Sequence, residues 1–280
     1  MDSGAARARI VSEADVLLTG GSGRLGRELR ALLPGVDAPP HADLDVTDPK
    51  AVAERIRATR PGLIVHAAAY TDVRGAETDR ETCWRVNVEG TRNVAAAARI
   101  VGAGLLHVST DYVFYGDRGG YREEDAPGPV RNYYALTKLV AEEAARAVPR
   151  AVVVRTSFRP RAWPYPTAFE DLFTSQDYVD VIAPDIAAIV RRFDEVPYAT
   201  LHVATERKSV LELARRRAPD VTAGSRRDAG VDLPEDISLD VARWRELRAA
   251  WAAADVAEGD GAEADGPTAS GPTASGPTED

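Results

Sequence analysis

The sequence is poor in features that mark several classes of protein. Cys83 is the single cysteine among 280 residues, so no internal disulfide framework can form, and a reducing compartment is expected. We interpret Cys83 as a small buried hydrophobic residue. No stretch is long and apolar enough to span a membrane, and the start of the chain lacks the apolar segment of a secretory signal. These absences predict a cytoplasmic protein with no membrane partner.

Positive charge and metal ligands are also scarce. Lys and Arg number 35 against 44 Asp and Glu, which gives a formal net charge of -9 and a pI of about 5.1. A broad basic face is therefore absent, and we exclude a nucleic acid partner. His66, His107 and His202 lie in apolar runs, where we interpret them as core residues. No cluster of residues suggests a metal site.

The sequence does contain a regular alternation of apolar runs and helical patterns. Apolar runs of strand length lie at residues 16–19, 63–67, 105–109 and 152–154. Helical patterns lie between them, at residues 24–33, 49–59, 81–101 and 132–147. Asp48 is a candidate N-cap before a proline at the first helical position. The alternation predicts βαβ units, and so an α/β fold with a doubly wound parallel sheet of the Rossmann type. Ligands of such sheets bind at the carboxyl ends of the strands.

The remaining chain predicts a smaller lobe and a tail. Helices are expected at residues 186–192, 210–216 and 239–252, and a strand at 200–203. We predict an NAD(P)-binding domain over residues 1–157 to which 178–203 return, a small C-terminal substrate-binding lobe of 158–177 and 204–254, and a tail of 255–280. The tail is rich in Gly, Ala and acidic residues and repeats GPTAS, which predicts a disordered acidic segment that solvates rather than binds a partner.

A glycine-rich string, TGGSGRLG at residues 19–26, connects the first apolar run to the first helical pattern. Glycines here let the backbone approach a pyrophosphate, and the N-terminus of the helix faces the anion. The predicted cofactor contacts in this turn are Gly20, Ser22, Gly23, Arg24, Leu25 and Gly26. A strand-to-helix turn that only needs glycine is the alternative.

Tyr134 and Lys138 are one helical turn apart in YALTK and therefore share a helix face. Reduction of a ketone needs hydride at carbon and a proton at oxygen, and free tyrosine is a weak acid. We expect the Lys138 ammonium to lower the pKa of Tyr134, so that the phenol donates the proton. An ordinary helix face is the alternative. Tyr133 has no lysine four residues later, and we interpret it as a packing residue.

Further polar residues are expected at the same cleft. Thr110 follows an apolar run and offers a hydroxyl that can hold the substrate oxygen, and Asp111 beside it could bind a sugar hydroxyl. Farther along, Arg159 and Trp163 could hold a nucleotide diphosphate by charge and stacking. The prolines around Trp163 suit a surface loop equally well.

Taken together, these strings carry a family resemblance. The chain resembles extended short-chain dehydrogenase/reductases, and within them the dTDP-4-dehydrorhamnose reductases, most clearly over residues 16–154 and more faintly to residue 247. The strings that carry the likeness are TGGSGRLG, DLDVTDP (43–49), HAAAYTDVRGAE (66–77), NVEGTRN (87–93), STDYVFYGD (109–117), YALTK (134–138) and RTSF (155–158).

The resemblance implies a function and a set of roles. Thr110, Tyr134 and Lys138 would catalyse, with a dTDP-linked 4-keto-6-deoxysugar as the small-molecule partner. The residues implied to contact or support the cofactor are Asp45, Val46, Ala67, Ala68, Ala69, Tyr70 and Asn87, together with Tyr134 and Lys138. Phe158 stands where the family has a Trp against the sugar, so the apolar face is kept and the indole donor is lost.

Several alternatives stay open at this point. Residues 158–178 form a shorter substrate loop than the family has, which leaves the sugar and turnover undecided. No acid stands clearly at the tip of the second strand to bind a ribose hydroxyl, and Arg24 and His41 could meet a 2′-phosphate, so we favour NADP(H) over NAD(H). A nucleotide-sugar epimerase of the same fold and a non-catalytic NADP-binding subunit, resembling the regulatory subunit of methionine adenosyltransferase, are the alternative functions. A homodimer is also left open.

Overall fold

The structure is a computed structural model that describes residues 11–262. Its strands are β1 (Val16–Thr19), β2 (Leu63–His66), β3 (Gly104–Thr110), β4 (Ala151–Thr156), β5 (Phe158–Arg159), β6 (Thr167–Phe169), β7 (Phe173–Thr174), β8 (Asp177–Tyr178), β9 (Thr200–His202), β10 (Lys208–Ser209) and β11 (Thr222–Gly224). Its α-helices are α1 (Arg24–Leu32), α2 (Pro49–Thr59), α3 (Arg80–Trp84), α4 (Gly90–Val101), α5 (Tyr133–Arg146), α6 (Val179–Arg191), α7 (Val210–Arg215) and α8 (Ala242–Ala262).

The central sheet has the order β1-β2-β3-β4-β9, and all its neighbours are parallel. On the free side of β1, a single residue continues the sheet: Asp37 donates its N–H to the Val16 carbonyl and accepts from the Leu18 N–H. After β1, the chain therefore passes through Asp37 on one side of β1 and then crosses to β2, which pairs with the other side of β1. This reversal opens a crevice at the carboxyl end of β1. The predicted Rossmann-type parallel fold is confirmed.

Both faces of the sheet are buried. Leu17, Ile64 and Leu105, at equivalent places on adjacent strands, share one core with residues of α2 and α4. Their neighbours Leu18 and Val65 are also buried and point to the opposite face, because side chains alternate along a strand. Helix α1 packs against α6, α2 against α4, and α4 against α5.

Helix boundaries agree with the capping residues in the sequence. The Asp48 carboxylate accepts from the N–H groups of Lys50 and Ala51 at the start of α2, as predicted. Asn132 accepts from the Ala135 N–H at the start of α5. Helix α6 begins seven residues before the predicted 186–192 and continues through Pro184, a residue that usually interrupts a helix.

The small strands outside the central sheet occur in the region predicted as the lobe. β5 pairs with β8, β7 with β10, and β6 with β11. The chain to Arg243 forms one compact unit, and the residues from Trp244 form a second. The division into a Rossmann domain and a lobe stays a prediction.

Helix α8 corrects the predicted start of the tail. It runs to Ala262, so residues 255–262 are helical rather than disordered, because Ala-rich sequence favours a helix despite its acidic residues. The predicted tail beyond residue 262 lies outside the described residues. No helix within residues 11–262 combines the length and apolarity that crossing a membrane requires.

Candidate active site

The glycine-rich turn joins β1 to α1 and lies against the end of β2. Gly20 has φ +76°, and a Cβ there would stand 2.5 Å from the Ala68 nitrogen. At Gly26, a Cβ would stand 2.1 Å from the Gly20 carbonyl oxygen. No side chain in the described part of the chain caps α1 at Gly23, so the first N–H groups of the helix are left without a capping oxygen. This cradle fits a pyrophosphate.

The other residues predicted to contact a cofactor surround this turn or follow neighbouring strands. Ser22 and Arg24 are exposed, and Leu25 is buried on α1. Ala67, Ala68, Ala69 and Tyr70 follow β2 and are half-buried. Their predicted role remains a prediction.

Asp45 and Val46 lie in the segment that leads into α2. Burial favours the neutral acid, but the Thr47 N–H, which donates to Asp45 Oδ1 at 2.9 Å, acts with the Thr47 side chain and the charges of His41 and Arg85 to hold the pKa of Asp45 below its ordinary value. The Val46 carbonyl accepts from Asn93 Nδ2 at 3.0 Å. Both residues are thus fixed by bonds to the chain around them, and their contact with an adenine stays a prediction.

Asn87 lies in a π-helical turn, Arg85–Glu89, between α3 and α4. Its Oδ1 accepts from the Tyr70 N–H at 2.8 Å, while its Nδ2 donates to the Tyr70 carbonyl at 3.2 Å and to Thr137 Oγ1 at 2.9 Å. Asn87 therefore ties the segment after β2 to the helix that carries Lys138. A π-turn at this point agrees with the tendency of such turns to occur at functional sites.

The predicted catalytic residues meet where β3 ends. Thr110 is the last residue of β3, and Tyr134 lies in the first turn of α5. The hydroxyl of Thr110 lies near the phenol of Tyr134 and favours its ionised form. Both side chains are buried, and the ring of Tyr112 packs edge-on against Tyr134 with 6.4 Å between centroids.

Lys138 is buried one turn after Tyr134 on α5 and reaches the same strand. Its Nζ donates to the Val108 carbonyl at 2.7 Å and lies 3.4 Å from His107 Nε2. Burial lowers the pKa of Lys138 to about 8, against the opposing charge of Glu142. Burial and the Lys138 charge also hold the pKa of His107 well below its ordinary value, so His107 is neutral and can accept from the ammonium.

The predicted acidification of Tyr134 by Lys138 is wrong for this structure. Burial raises the pKa of Tyr134 above its ordinary value, the Asp111 charge raises it further, and the Thr110 hydroxyl only partly opposes this. The Lys138 ammonium is instead directed to the Val108 carbonyl. Helical spacing correctly placed both residues on one face, but it does not specify which partner a flexible lysine contacts.

Asp111 follows Thr110 and is almost fully buried, with 2% of its surface exposed. Thr110 Oγ1 donates to Asp111 Oδ1 at 3.1 Å, and the Ser157 side chain also favours the carboxylate form. Burial raises the pKa of Asp111 to about 6, while these two side chains and the Arg159 charge act in the opposite direction. The site therefore contains an acid that titrates near neutral pH.

The residues predicted to bind substrate lie on the segment that follows β4. Phe158 and Arg159 form β5, and the Arg159 guanidinium stands 5.6 Å from the Trp163 ring centroid and 5.8 Å from that of Tyr165. Within the described part of the chain, Arg159 Nε and Trp163 Nε1 are buried without a hydrogen-bond partner. Arg161 pairs with Glu28 of α1 through two bonds of 2.8 and 2.6 Å. This segment is thus fastened to the helix of the glycine turn.

Sequence reasoning missed the buried ion pair beside this site. Glu142 accepts two bonds from Arg155, at 3.0 and 2.9 Å, and a third from Ser109 Oγ at 2.6 Å. Glu142 lies four residues after Lys138, so the helical spacing that linked Tyr134 to Lys138 also points to it. Ser157, which favours the Asp111 carboxylate, carries no comparable local signal. Residues 11–262 hold no group of three or more His, Cys, Asp or Glu side chains that could bind a metal.

Comparison with known proteins agrees with this geometry. A family model described as the RmlD substrate binding domain matches residues 14–183. A dTDP-4-dehydrorhamnose reductase of Mycobacterium tuberculosis is 40% identical over 213 residues, which are 71% of this chain and 65% of that protein. A protein of the same name from Streptomyces griseus is 44% identical over 149 residues, 51% of this chain and 49% of that protein. The aligned parts thus span about half to two thirds of these curated relatives.

A solved structure shares the fold. The crystal structure of dTDP-4-dehydrorhamnose reductase from Bacillus anthracis in complex with NADP superposes with a TM-score of 0.72 at 29% identity, covering 82% of this chain and 90% of that one.

Proposed function

The chain belongs to the RmlD substrate binding domain family, and we propose that it is an NAD(P)H-dependent reductase of a nucleotide-linked 4-keto-6-deoxysugar. The observation that carries this proposal is that the buried side chains of Thr110 and Tyr134 meet at the end of β3, in a chain whose glycine turn after β1 fits a phosphate. A protein that only bound nucleotide would have no use for a proton donor at this place. The name shared by the curated relatives supports the same substrate class.

The turn from Gly20 to Gly26 and the start of α1 would hold the pyrophosphate of the cofactor. When bound, the reduced nicotinamide supplies the hydride. Thr110 positions the ketone oxygen, and the Tyr134 phenol delivers the proton to that oxygen. Because burial raises the pKa of Tyr134, the residue stays protonated over the physiological range and is ready to donate.

Lys138 has a positioning and electrostatic role in this proposal. Its ammonium, fixed on the Val108 carbonyl, would reach the ribose hydroxyls of the cofactor and stabilise the phenolate that forms once Tyr134 has lost its proton. The ammonium thus acts after proton transfer rather than by acidifying the resting phenol. Asn87 keeps this arrangement through its bond to Thr137, the residue before Lys138.

We favour NADP(H) over NAD(H). Asp37, the acid that extends the sheet beside β1, is paired with Arg55, whose Nη2 lies 2.5 Å from both carboxylate oxygens. A carboxylate neutralised in this way is a poor partner for a ribose 2′-hydroxyl and repels a 2′-phosphate less. Arg24 and His41 are both exposed and able to meet that phosphate. The Bacillus anthracis relative was crystallised with NADP.

The segment after β4 would bind the nucleotide sugar. The guanidinium of Arg159 and the unpartnered indole N–H of Trp163 supply donors for a diphosphate or base. Phe158 supplies an apolar surface for the sugar. Asp111 Oδ1 already accepts from Thr110 Oγ1, so the carboxylate is partly engaged before any sugar hydroxyl binds.

The test is NAD(P)H oxidation with dTDP-, UDP- and GDP-linked 4-ketosugars. Wild-type protein should oxidise NADPH with one of them, and Tyr134→Phe should reduce turnover by about 10²-fold or more, since only proton delivery is lost. NADPH affinity, measured by fluorescence, should stay nearly unchanged. Tyr133→Phe is the matched control and should turn over normally. Equal turnover of the Tyr134→Phe protein and wild type would contradict the assigned role.

A further inference from the structure

The chain between β4 and β6, residues 157–166, contains the side chains proposed to bind the nucleotide sugar, and it is named here the substrate segment. After β5 it has neither helix nor strand until β6 begins. Pro160, Pro164 and Pro166 lie in this outer part, and a proline has no N–H to donate to the main chain of a neighbour. Side-chain contacts must therefore hold residues 160–166 in place.

Trp163 provides the first of these contacts. Its ring packs against an apolar cluster of β6 and α7 that includes Ala168, Val210, Leu211 and Ala214. The Arg159 guanidinium stands 5.6 Å from the Trp163 ring centroid, and its charge favours the ionised form of Asp111 at the end of β3. The position of the segment thus determines where the proposed diphosphate donors lie relative to the end of β3.

Arg161 provides a second contact, to the helix that follows the glycine turn. Its Nε and Nη2 donate to the two carboxylate oxygens of Glu28 in α1, at 2.8 and 2.6 Å. A bidentate pair of this kind fixes direction as well as charge. The Arg161 hydrogen bond also holds the pKa of Glu28 below its ordinary value of 4.5, so that Glu28 is ionised at neutral pH.

Arg217 fixes the main chain at the same point. Its Nη1 donates to the Arg161 carbonyl at 2.5 Å, and its Nη1 and Nη2 each donate to a carboxylate oxygen of Asp180 at 2.9 Å. Asp180 lies in the first turn of α6, which packs against α1, and its charge also attracts Arg161. Carboxylates of both helices therefore attract the Arg161 guanidinium.

Helix α1 makes contacts on the cofactor side as well. Arg27 Nη1 donates to the Ser22 carbonyl of the glycine turn at 2.7 Å. The next residue, Glu28, is the one that binds Arg161. Adjacent side chains of one helix thus contact the proposed phosphate cradle and the substrate segment.

We propose that Glu28 and Arg161 are a positioning pair that holds the substrate segment in its binding pose and thereby sets the affinity for the nucleotide sugar without affecting hydride transfer. This inference rests on the proposed reductase function. A segment released from α1 is in its binding pose for only part of the time, and the apparent affinity falls by that fraction. The chemical step, once the ligand is bound, is the same.

The first experiment measures ligand affinity by calorimetry. The full chain, saturated with NADPH, is titrated with dTDP, UDP and GDP, and the variants are compared on the one that wild type binds. Glu28→Gln and Arg161→Gln should each weaken binding about fivefold, as expected for a partly exposed ion pair. The double variant should bind no more weakly than either single variant, because both substitutions remove the same interaction.

Two further readouts separate positioning from general damage. NADPH affinity should stay within about twofold of wild type, and in ketosugar reduction KM should rise about fivefold while kcat is unchanged. Glu54→Gln is the matched control, because Glu54 is an exposed acid that pairs with Lys50 on α2, and it should match wild type.

Three results would overturn the inference. One is a Glu28→Gln protein that binds the nucleotide as well as wild type does. Another is a double variant in which the losses of the two single variants multiply. The third is a much larger loss for Arg161→Gln than for Glu28→Gln, which would mean that Arg161 contacts the diphosphate directly.

A second experiment needs neither ligand nor turnover. Amide hydrogen exchange of the full chain should be about threefold faster or more in peptides covering residues 161–165 of Glu28→Gln, with wild-type rates in the glycine turn. Unchanged rates at residues 161–165 would refute the pair even in an active reductase. Faster exchange in a protein whose wild type binds no nucleotide would refute the reductase proposal and confirm that the pair anchors this segment.

Discussion

At the scale of single residues, the turn after β1 shows two glycines that are required by different contacts. Gly20 combines a positive φ with close approach to the backbone of Ala67 and Ala68. Gly26 has ordinary helical geometry, yet its α-carbon packs directly on the Gly20 carbonyl. The close packing of α1 on this turn is what keeps the phosphate cradle in shape.

We predict that Gly26→Ala destabilises the protein by about 1–3 kcal/mol, because the added methyl group must displace backbone. NADPH affinity should fall as well. Chemical denaturation and fluorescence titration measure the two effects. Gly62→Ala is the matched control, since a Cβ there meets its nearest neighbour at 3.6 Å, and it should differ from wild type by less than about 0.5 kcal/mol. Equal stabilities for the two variants would contradict the packing argument.

At the scale of elements, helix α5 contains both the predicted catalytic residues and the buried ion pair that holds the helix on the sheet. Tyr134, Lys138 and Glu142 follow one another at four-residue spacing. The first two face the end of β3, and Glu142 is bound to Arg155 of β4 with both side chains at 2% exposure or less. The ion pair thus fixes the helix on the sheet one turn beyond the lysine.

Glu142→Gln should destabilise the protein by about 3–5 kcal/mol, because it leaves the buried Arg155 charge without its partner. Burial opposes ionisation of Glu142, but the bonds and charge of Arg155, with the Ser109 bond and the Arg146 charge, together keep the pKa of Glu142 below 4.5. The stabilisation is therefore complete above pH 4.5 and is lost as pH falls through the lower folded-state pKa.

The neighbouring Glu143→Gln is the control, because Glu143 is exposed and pairs with Arg146 at the surface. It should change stability by less than about 1 kcal/mol. Urea denaturation of both variants at pH 7 measures the difference, and similar values for the two would show that the buried pair does not anchor α5.

The elements that sequence could predict are those set by local patterns. β1 was predicted at its observed bounds, and α2 begins directly after Asp48, the N-cap expected from the sequence. The start of α6 was missed because Pro184 interrupts the pattern, while packing against α1 keeps the helix continuous. The two-residue strands β5 and β8 are too short for any periodicity to be visible.

The candidate site likewise contains residues that local patterns predict and contacts that they do not. Thr110, Tyr134 and Lys138 were found because spacing along one strand and one helix brings them together. The pKa of Tyr134 was not predictable, since it depends on burial and on which groups lie nearest in space. The bond between Arg161 and Glu28 joins residues 133 positions apart, and no local pattern encodes such a contact.

At the scale of the whole molecule, acid sensitivity follows from histidines that are buried and uncharged. Burial lowers the pKa of His66 to about 3 and that of His202 to about 4, and it holds that of His107 well below 6.5. The unfolded chain binds these protons from about pH 6.5 downward, whereas the folded chain does not. Folding stability is therefore lost as pH falls through this window.

The free energy of unfolding should be about 3–5 kcal/mol lower at pH 5 than at pH 7, since each histidine contributes up to about 1.4 kcal/mol per pH unit. The raised pKa of Asp111 has the opposite effect, because it stabilises the folded chain as pH falls from 6 towards 3.8. The predicted loss of free energy already includes this effect. Denaturation across pH measures the slope. His202→Gln should reduce it, and His41→Gln, at an exposed site, should leave it unchanged. A flat profile would contradict the prediction.

The single residue that extends the sheet beyond β1 also protects the protein in solution. Exposed strand edges recruit strands of other molecules and so start aggregation. Here the outer edge is Asp37 alone, its carboxylate is engaged by Arg55, and Pro39 and Pro40 follow with no N–H to offer. A neighbouring molecule therefore meets no row of unpaired backbone groups on this side of the sheet. The prolines and the charged pair block intermolecular β-pairing there.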